Sequence, residues 1–168
     1  MTLHRTGVGS LPHESPDEAV GFVTRTSDIH YLPQLPNRHV QESMLLQWGD
    51  GMAGAGHDGP TLLSGAPSGD RDEGFGGATA MLHRIEGDVV KTQATGPVTL
   101  AAALQAGGVA GPDLVVRVVD ELLVRIERHV SWVREESGAK RVVLVLDEPA
   151  LAALGASQTT LPDSVRRS

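Results

Sequence analysis

The sequence predicts an α/β fold in which parallel strands alternate with helices. The first observation is the run Val142 to Leu146, five successive apolar residues, which is typical of a parallel strand buried on both faces. The second is that Asp147 and Glu148 follow this run directly, at the end of a strand where α/β proteins collect ligand-binding groups. The third is that strand-like and helix-like stretches alternate along the chain.

Composition limits the kinds of partner and compartment. The 168 residues suit one domain, which we place at residues 1–155 with a polar tail at 156–168. The formal net charge of -7 argues against nucleic acid and favours a small neutral or zwitterionic ligand. There is no cysteine, and no apolar run is long enough for a membrane span. We therefore expect a soluble, cytoplasmic protein.

The first half of the chain predicts two strands and two helices. A short strand ends at residues 7–10, and Ser15 then caps a helix from Pro16 to about Thr26, with Glu18 completing a capping box. We expect this helix to bury Ala19, Val20 and Val23. A second strand covers residues 29–35, and a short helix follows at residues 40–48.

The second half begins with a long glycine-rich loop, predicted at residues 49–80. A strand over residues 89–94 leads into a helix at 98–105. Pro112 is expected to open the longest helix, which runs to about Glu136 with Gly138 at its end, and His129 is expected at the boundary of its apolar stripe. The strand ending at Asp147 is the fourth. Four strands, each followed by a helix or a loop, make about half of a TIM-type (β/α)8 barrel.

The adjacent carboxylates at the end of the last strand are the main candidate site. Asp147 and Glu148 point to opposite faces if the strand persists, so one of them can face the crevice. A carboxylate there can bind an ammonium group or act as an acid or base. Alternatively, Asp147 simply caps the next helix at a solvated strand terminus. The spacing favours neither interpretation.

Two further corners are candidates for binding. Gly9 and Ser10 can offer backbone N–H groups and a hydroxyl to a ligand carboxylate, although paired glycines more often mark a tight turn. Thr95 begins a corner, Thr95-Gly96-Pro97, whose helix N-terminus can hold an anion, although Pro97 can simply start a helix. The seven histidines are scattered and show no metal-ligand spacing.

Three short motifs, in order and widely separated, carry a resemblance to a known family. They are Val8-Gly9-Ser10-Leu11-Pro12, the stretch from Val90-Lys91 to Thr95-Gly96-Pro97-Val98-Thr99, and Leu146-Asp147-Glu148-Pro149-Ala150-Leu151. Together they resemble the amino-terminal half of the catalytic barrel of cobalamin-independent methionine synthase, in the superfamily that includes uroporphyrinogen decarboxylase. The resemblance covers nearly the whole chain and implies methyl transfer to the homocysteine thiol, in methionine biosynthesis.

The resemblance also implies roles for individual residues. Val8, Gly9 and Ser10 would hold the carboxylate of homocysteine or methionine, and Asp147 would pair with its ammonium group. Zinc and folate are the family's cofactors, but we do not expect their ligands in this chain. The family's zinc ligands, a His, two Cys and a Glu, follow the Asp-Glu-Pro-Ala segment, whereas this sequence has no Cys and ends at Ser168. Ala103 and Ala153 stand where the family has a Trp and a folate-contacting Glu.

Three functions remain open at this stage. The chain can be a truncated, methyltransferase-like half barrel that retains part of the amino-acid site and is inactive alone. It can form a homodimer or join a complementing half barrel, since an open parallel sheet has unpaired edges. It can instead be a non-catalytic amino-acid-binding or scaffold protein. We expect neither a nucleic acid nor a membrane as partner.

Overall fold

The computed structural model describes residues 3–52 and 71–153. Within them, parallel strands and helices alternate in an α/β arrangement. The strands are β1 (His30–Tyr31), β2 (Val89–Thr95) and β3 (Arg141–Asp147). The α-helices are α1 (Pro16–Thr26), α2 (Met44–Gly49), α3 (Arg71–Leu82), α4 (Pro97–Ala106) and α5 (Leu114–Ser137). Two 3-10 helices, Val40–Glu42 and Pro149–Ala153, complete the described secondary structure.

The sheet is parallel, as predicted, with β2 between β1 and β3. Its described part has three strands and not four, because the first predicted strand is reduced to one parallel bridge between Ser10 and Gln34. The second predicted strand, residues 29–35, is regular only at His30–Tyr31. Pro33 lies between this strand and the bridge, and a proline has no N–H to continue a ladder.

Helix α1 has the start that its sequence predicts. The Ser15 hydroxyl oxygen accepts a hydrogen bond from the Glu18 backbone N–H at 3.5 Å, and Pro16 occupies the first helical position. Its buried residues are the predicted Ala19, Val20 and Val23. The predicted helix over residues 40–48 is instead divided at Ser43, whose hydroxyl oxygen accepts from the Leu46 N–H and so starts α2 separately.

The glycine-rich stretch differs from its prediction at its carboxyl end. Residues 71–80, expected in the loop, lie in α3, whereas residues 53–70 are outside the described part of the chain. Tertiary packing overrides the low helix propensity of glycine here. Ala78, Met81 and Leu82 are buried in the core, and the Gly77 N–H donates to the buried Glu42 carboxylate at 3.1 Å.

Helix α5 is close to its prediction but starts later. Pro112 precedes the helix and Asp113 is its N-cap, while Gly138 ends it in the left-handed conformation at φ 64°. His129, expected at the edge of the apolar stripe, is buried at 8% exposure. Its Nε2 lies 2.7 Å from the Thr92 hydroxyl of β2, so this pair connects the helix to the sheet.

The two faces of the sheet have different environments. The outer face carries Val90, Thr92 and Ala94 of β2 and packs on α4 and α5. The inner face carries Lys91, Gln93 and Thr95, all of them buried. The prediction that Val142 to Leu146 is buried on both faces is wrong, because β3 is an edge strand in the described sheet: Val143, Val145 and Leu146 are 37%, 36% and 48% exposed.

Candidate functional site

The candidate site lies at the carboxyl end of the parallel sheet. Asp147 is the last residue of β3 and pairs in register with Thr95, so its side chain lies on the inner face. Burial raises the pKa of the Asp147 carboxyl above its ordinary value, and the positive charge of Lys91 opposes that rise. Within residues 3–52 and 71–153, no group donates a hydrogen bond to this carboxylate. Asp147 is therefore a partly desolvated acceptor to which none of the described groups donates.

Lys91 is a buried cation on the same face, close enough to Asp147 for their charges to interact. Its Nζ donates to the Gly7 carbonyl at 2.9 Å, to the Val8 carbonyl, and to Gln93 Oε1 at 3.3 Å. Burial lowers the pKa of the Lys91 ammonium, and the Asp147 charge opposes that fall. Lys91 thus connects the N-terminal segment to β2 and places a positive charge near Asp147.

The N-terminal segment reaches the same end of the sheet from the other side. The Gly9 carbonyl accepts from the Gln34 N–H at 3.0 Å, and the Leu11 N–H donates to the Gln34 carbonyl at 2.9 Å. Ser10 is exposed and Val8 is 72% exposed. In the order of the sheet, β1 and β2 stand between this segment and β3. The predicted site residues therefore share one end of the sheet without being neighbours in it.

Gly9 requires the absence of a side chain. Its φ is 142°, which is outside the range that other residues adopt readily. A Cβ built there would lie 2.4 Å from the Gln93 side chain, whose Nε2 donates to the Leu32 carbonyl at 2.8 Å. The glycine thus allows the N-terminal segment to lie directly against the inner face of β2.

Glu148, the second carboxylate of the predicted pair, has a structural role. Its Oε1 accepts from the Val98 N–H at 2.9 Å, and its Oε2 accepts from the Thr99 N–H and hydroxyl at 2.8 and 2.7 Å. It thereby caps α4, whose own N-cap, Gly96, has no side chain to do so. The two acids point to different sides, but Glu148, and not Asp147, is the capping residue.

Thr95, the remaining candidate, is buried and committed to a structural contact. Its hydroxyl donates to the Met44 carbonyl at 2.7 Å, which joins the end of β2 to the start of α2. Sequence reasoning assigned no role to Lys91 and Gln93. One feature of the sequence could have identified them. In Val89–Thr95, Lys91, Gln93 and Thr95 stand at every second position, and alternate residues of a strand share one face.

A separate pocket of about 310 Å³ lies among the helices. It is lined by Gln47, Trp48, Phe75, Arg125, Arg128, His129 and Trp132. Because His129 bonds to Thr92 on the outer face, this pocket lies on the other side of the sheet from Asp147. It is therefore not part of the candidate site at the strand ends.

The described residues do not supply a metal centre. In residues 3–52 and 71–153, no three His, Asp or Glu side chains come together as metal ligands, and the sequence has no cysteine. The donor set of these residues therefore does not fit the zinc site that the family resemblance implies. No helix in this part of the chain is both long enough and apolar enough to cross a membrane.

Comparisons with protein-family models, with curated proteins and with solved structures find no match for this chain.

Proposed function

We propose that this chain is a methionine synthase-like half barrel that binds the zwitterionic end of an amino acid of the homocysteine or methionine type. The observation that carries this proposal is the Asp147 carboxylate, partly desolvated, without a hydrogen-bond donor in the described chain, and at the carboxyl end of a parallel strand. A ligand ammonium group supplies the missing donors and the opposite charge.

The N-terminal segment is the proposed partner of the ligand carboxylate. The backbone N–H groups of Gly9 and Ser10 and the Ser10 hydroxyl are suitable donors. Lys91 donates to the Gly7 carbonyl and Gly9 lies against the Gln93 side chain. This segment therefore lies over the inner face of β2, the strand that pairs with β3. The ammonium contact at Asp147 and the carboxylate contact at Ser10 are therefore tested separately.

The reaction of the proposed family is methyl transfer to the homocysteine thiol, which needs the thiol to be deprotonated. The described residues offer no fitting metal centre for that step, so we assign none of it to them. In this proposal a second polypeptide supplies thiol activation, and the present chain holds and orients the amino acid.

Replacing Asp147 with asparagine is expected to weaken binding of methionine or homocysteine by about 10- to 150-fold, the usual contribution of a hydrogen bond to a charged group. Asparagine keeps the size of the side chain but loses its charge. Titration calorimetry measures the affinity, and a thermal midpoint without ligand reports the fold. Because burial raises the pKa of this carboxyl, its ionised form already costs stability, so we expect that midpoint to change little.

The matched control is Asp88→Asn at the opposite end of the sheet. Asp88 pairs with Lys140 in an exposed ion pair, and we expect its replacement to leave the affinity unchanged. Ser10→Ala tests the carboxylate contact alone. An affinity for methionine that is the same in the wild-type and Asp147→Asn proteins would remove the proposal.

Binding should also weaken on acidification. Only the ionised Asp147 carboxylate attracts an ammonium group, and burial raises the pKa of this carboxyl above its ordinary value. As pH falls through the raised pKa, the carboxylate is protonated and affinity is lost, while the ligand ammonium stays charged. Calorimetry at a series of pH values from neutral into the acidic range in which the protein stays folded measures this loss. The Asp147→Asn protein should show no such dependence in that range.

A non-catalytic amino-acid-binding module is the second candidate, because the Asp147 carboxylate can hold an ammonium group without any second polypeptide. Thermal-shift titrations with homocysteine, with and without zinc, separate the two. The binding module is supported if homocysteine raises the thermal midpoint by the same amount with and without zinc. This result must also hold when a methyl donor and candidate partner chains are present. A zinc-dependent shift that appears only with a second polypeptide supports the methyltransferase system.

A further inference from the structure

One edge of β3 has no paired strand among residues 3–52 and 71–153. Among the described residues β3 pairs with β2 alone. It is seven residues long, and Val143, Val145 and Leu146 are exposed on it. Long apolar edges of this kind are usually shortened, charged or covered, because they add strands from other chains.

The ladder with β2 decides which backbone groups face that edge. The Arg141 N–H donates to the Asp88 carbonyl, and the Asp147 carbonyl accepts from the Gly96 N–H, so both ends of β3 point their polar groups toward β2. Backbone groups alternate in direction along a strand. The N–H and carbonyl groups of Val142, Leu144 and Leu146 therefore project from the free edge.

This edge is self-complementary in one antiparallel register. In this register Leu144 of one copy lies opposite Leu144 of the other. The backbone groups that project from the two free edges then face each other and can form about six hydrogen bonds. Arg141 of one copy then lies opposite Asp147 of the other, at both ends of the ladder. Val143 lies opposite Val145, on the same inner face. The charges and the apolar side chains match at the same time.

We propose that two copies of this chain associate through antiparallel pairing of their β3 strands, centred on Leu144. The two sheets then form one continuous sheet with an antiparallel seam. Shifting the register by two residues keeps the backbone bonding pattern but separates Arg141 from Asp147 at both ends of the ladder, so charge selects the central register. The arrangement differs from a rebuilt barrel, in which the added strand would be parallel to β3.

The pairing brings a residue of the second copy to the candidate site. In the described chain no group donates to the Asp147 carboxylate. Across the seam it faces the guanidinium of Arg141 of the partner subunit, and a carboxylate has lone pairs for this donor and for a ligand ammonium together. The pairing itself does not depend on the ligand proposed above, since it rests on the strand edge and its charges.

The oligomeric state of the full chain tests the proposal. Sedimentation analysis across a range of concentrations should show a reversible dimer of the 17.7 kDa chain. Arg141→Asp and Asp147→Arg each place like charges opposite one another at both ends of the ladder. Each single change should raise the dimer dissociation constant by about 10- to 30-fold. The double variant, Arg141→Asp with Asp147→Arg, restores both pairs in reverse and should restore the dimer.

The matched control is Arg25→Asp, which makes the same charge change on the exposed surface of α1, away from β3. It should leave the dissociation constant unchanged. A chain that is monomeric at all concentrations overturns the proposal. A dimer that neither single variant weakens, or that the double variant does not restore, overturns it as well, because another surface then forms the contact.

Hydrogen exchange supplies a second readout that does not depend on the variants. The backbone N–H groups of Val142, Leu144 and Leu146 should be protected only at concentrations where the dimer forms. Those of Val143 and Val145 bond to β2 and should be protected at every concentration. Equal exchange of the first three amides in monomer and dimer contradicts the pairing.

Discussion

Replacing Glu42 with alanine is expected to lower the free energy of unfolding by about 3 kcal/mol, the largest loss that we predict for one side chain here. Glu42 is completely buried, and its carboxylate accepts from the Leu35 and Gly77 backbone N–H groups, each at 3.1 Å, and from the Arg38 guanidinium. Alanine leaves two buried N–H groups without their acceptor and removes one acceptor of the Arg38 guanidinium. Urea titration measures the change, and the thermal midpoint should fall by roughly 6–12 °C.

Two controls separate this network from a general effect of losing a glutamate. Glu86→Ala removes an exposed glutamate and should change the unfolding free energy by less than about 0.5 kcal/mol. Glu42→Gln retains one amide oxygen as acceptor and should lose less than alanine does. If Glu42→Ala lowers the unfolding free energy no more than Glu86→Ala does, the Glu42 carboxylate does not hold the 3-10 helix Val40–Glu42 and α3 together.

The second large effect is expected at Glu148. Glu148→Ala should lower the free energy of unfolding by about 2 kcal/mol, because α4 loses the acceptor of its first N–H groups. The Thr99 hydroxyl, which donates to the same carboxylate and accepts from the Ala150 N–H, also loses its partner. Denaturant unfolding followed by circular dichroism measures the loss.

Ligand binding distinguishes this structural role from a role in the site. Glu148→Ala that still folds should bind methionine with nearly the wild-type affinity, whereas Asp147→Asn should fold normally and bind weakly. The adjacent acids thus form a matched pair of opposite phenotypes. A loss of affinity without loss of stability in Glu148→Ala would show that the carboxylate contacts the ligand.

The structure also explains why sequence reasoning weighed the two acids evenly. Both follow the same strand, and each residue type suits a cap or a ligand contact. The deciding feature is Gly96, a capping position without a side chain, 52 residues before Glu148 in the chain and adjacent to it in space. Such a long-range contact leaves no periodic signal in the sequence.

Local signals were sufficient for most helices and for the direction of the sheet. Ser15 with Pro16 predicts the start of α1, and Gly138 predicts the end of α5, because caps depend on neighbouring residues alone. The apolar run Val142 to Leu146 predicts β3, and the helices between the predicted strands indicate parallel pairing. The amino-acid ligand, the half-barrel architecture and the methyltransferase ancestry remain proposals.

What the sequence determines by itself is therefore the set of elements that short-range physics specifies, together with an acid at the end of β3. Tertiary structure alone decided that α3 extends through a glycine-rich stretch, that Glu148 caps α4, and that Lys91 joins the N-terminal segment to β2. It also decided that β3 has an exposed edge in the described sheet. The physical reason is that burial and long-range hydrogen bonds depend on which segments pack together. Those segments are far apart in the chain and come into contact only in the folded protein.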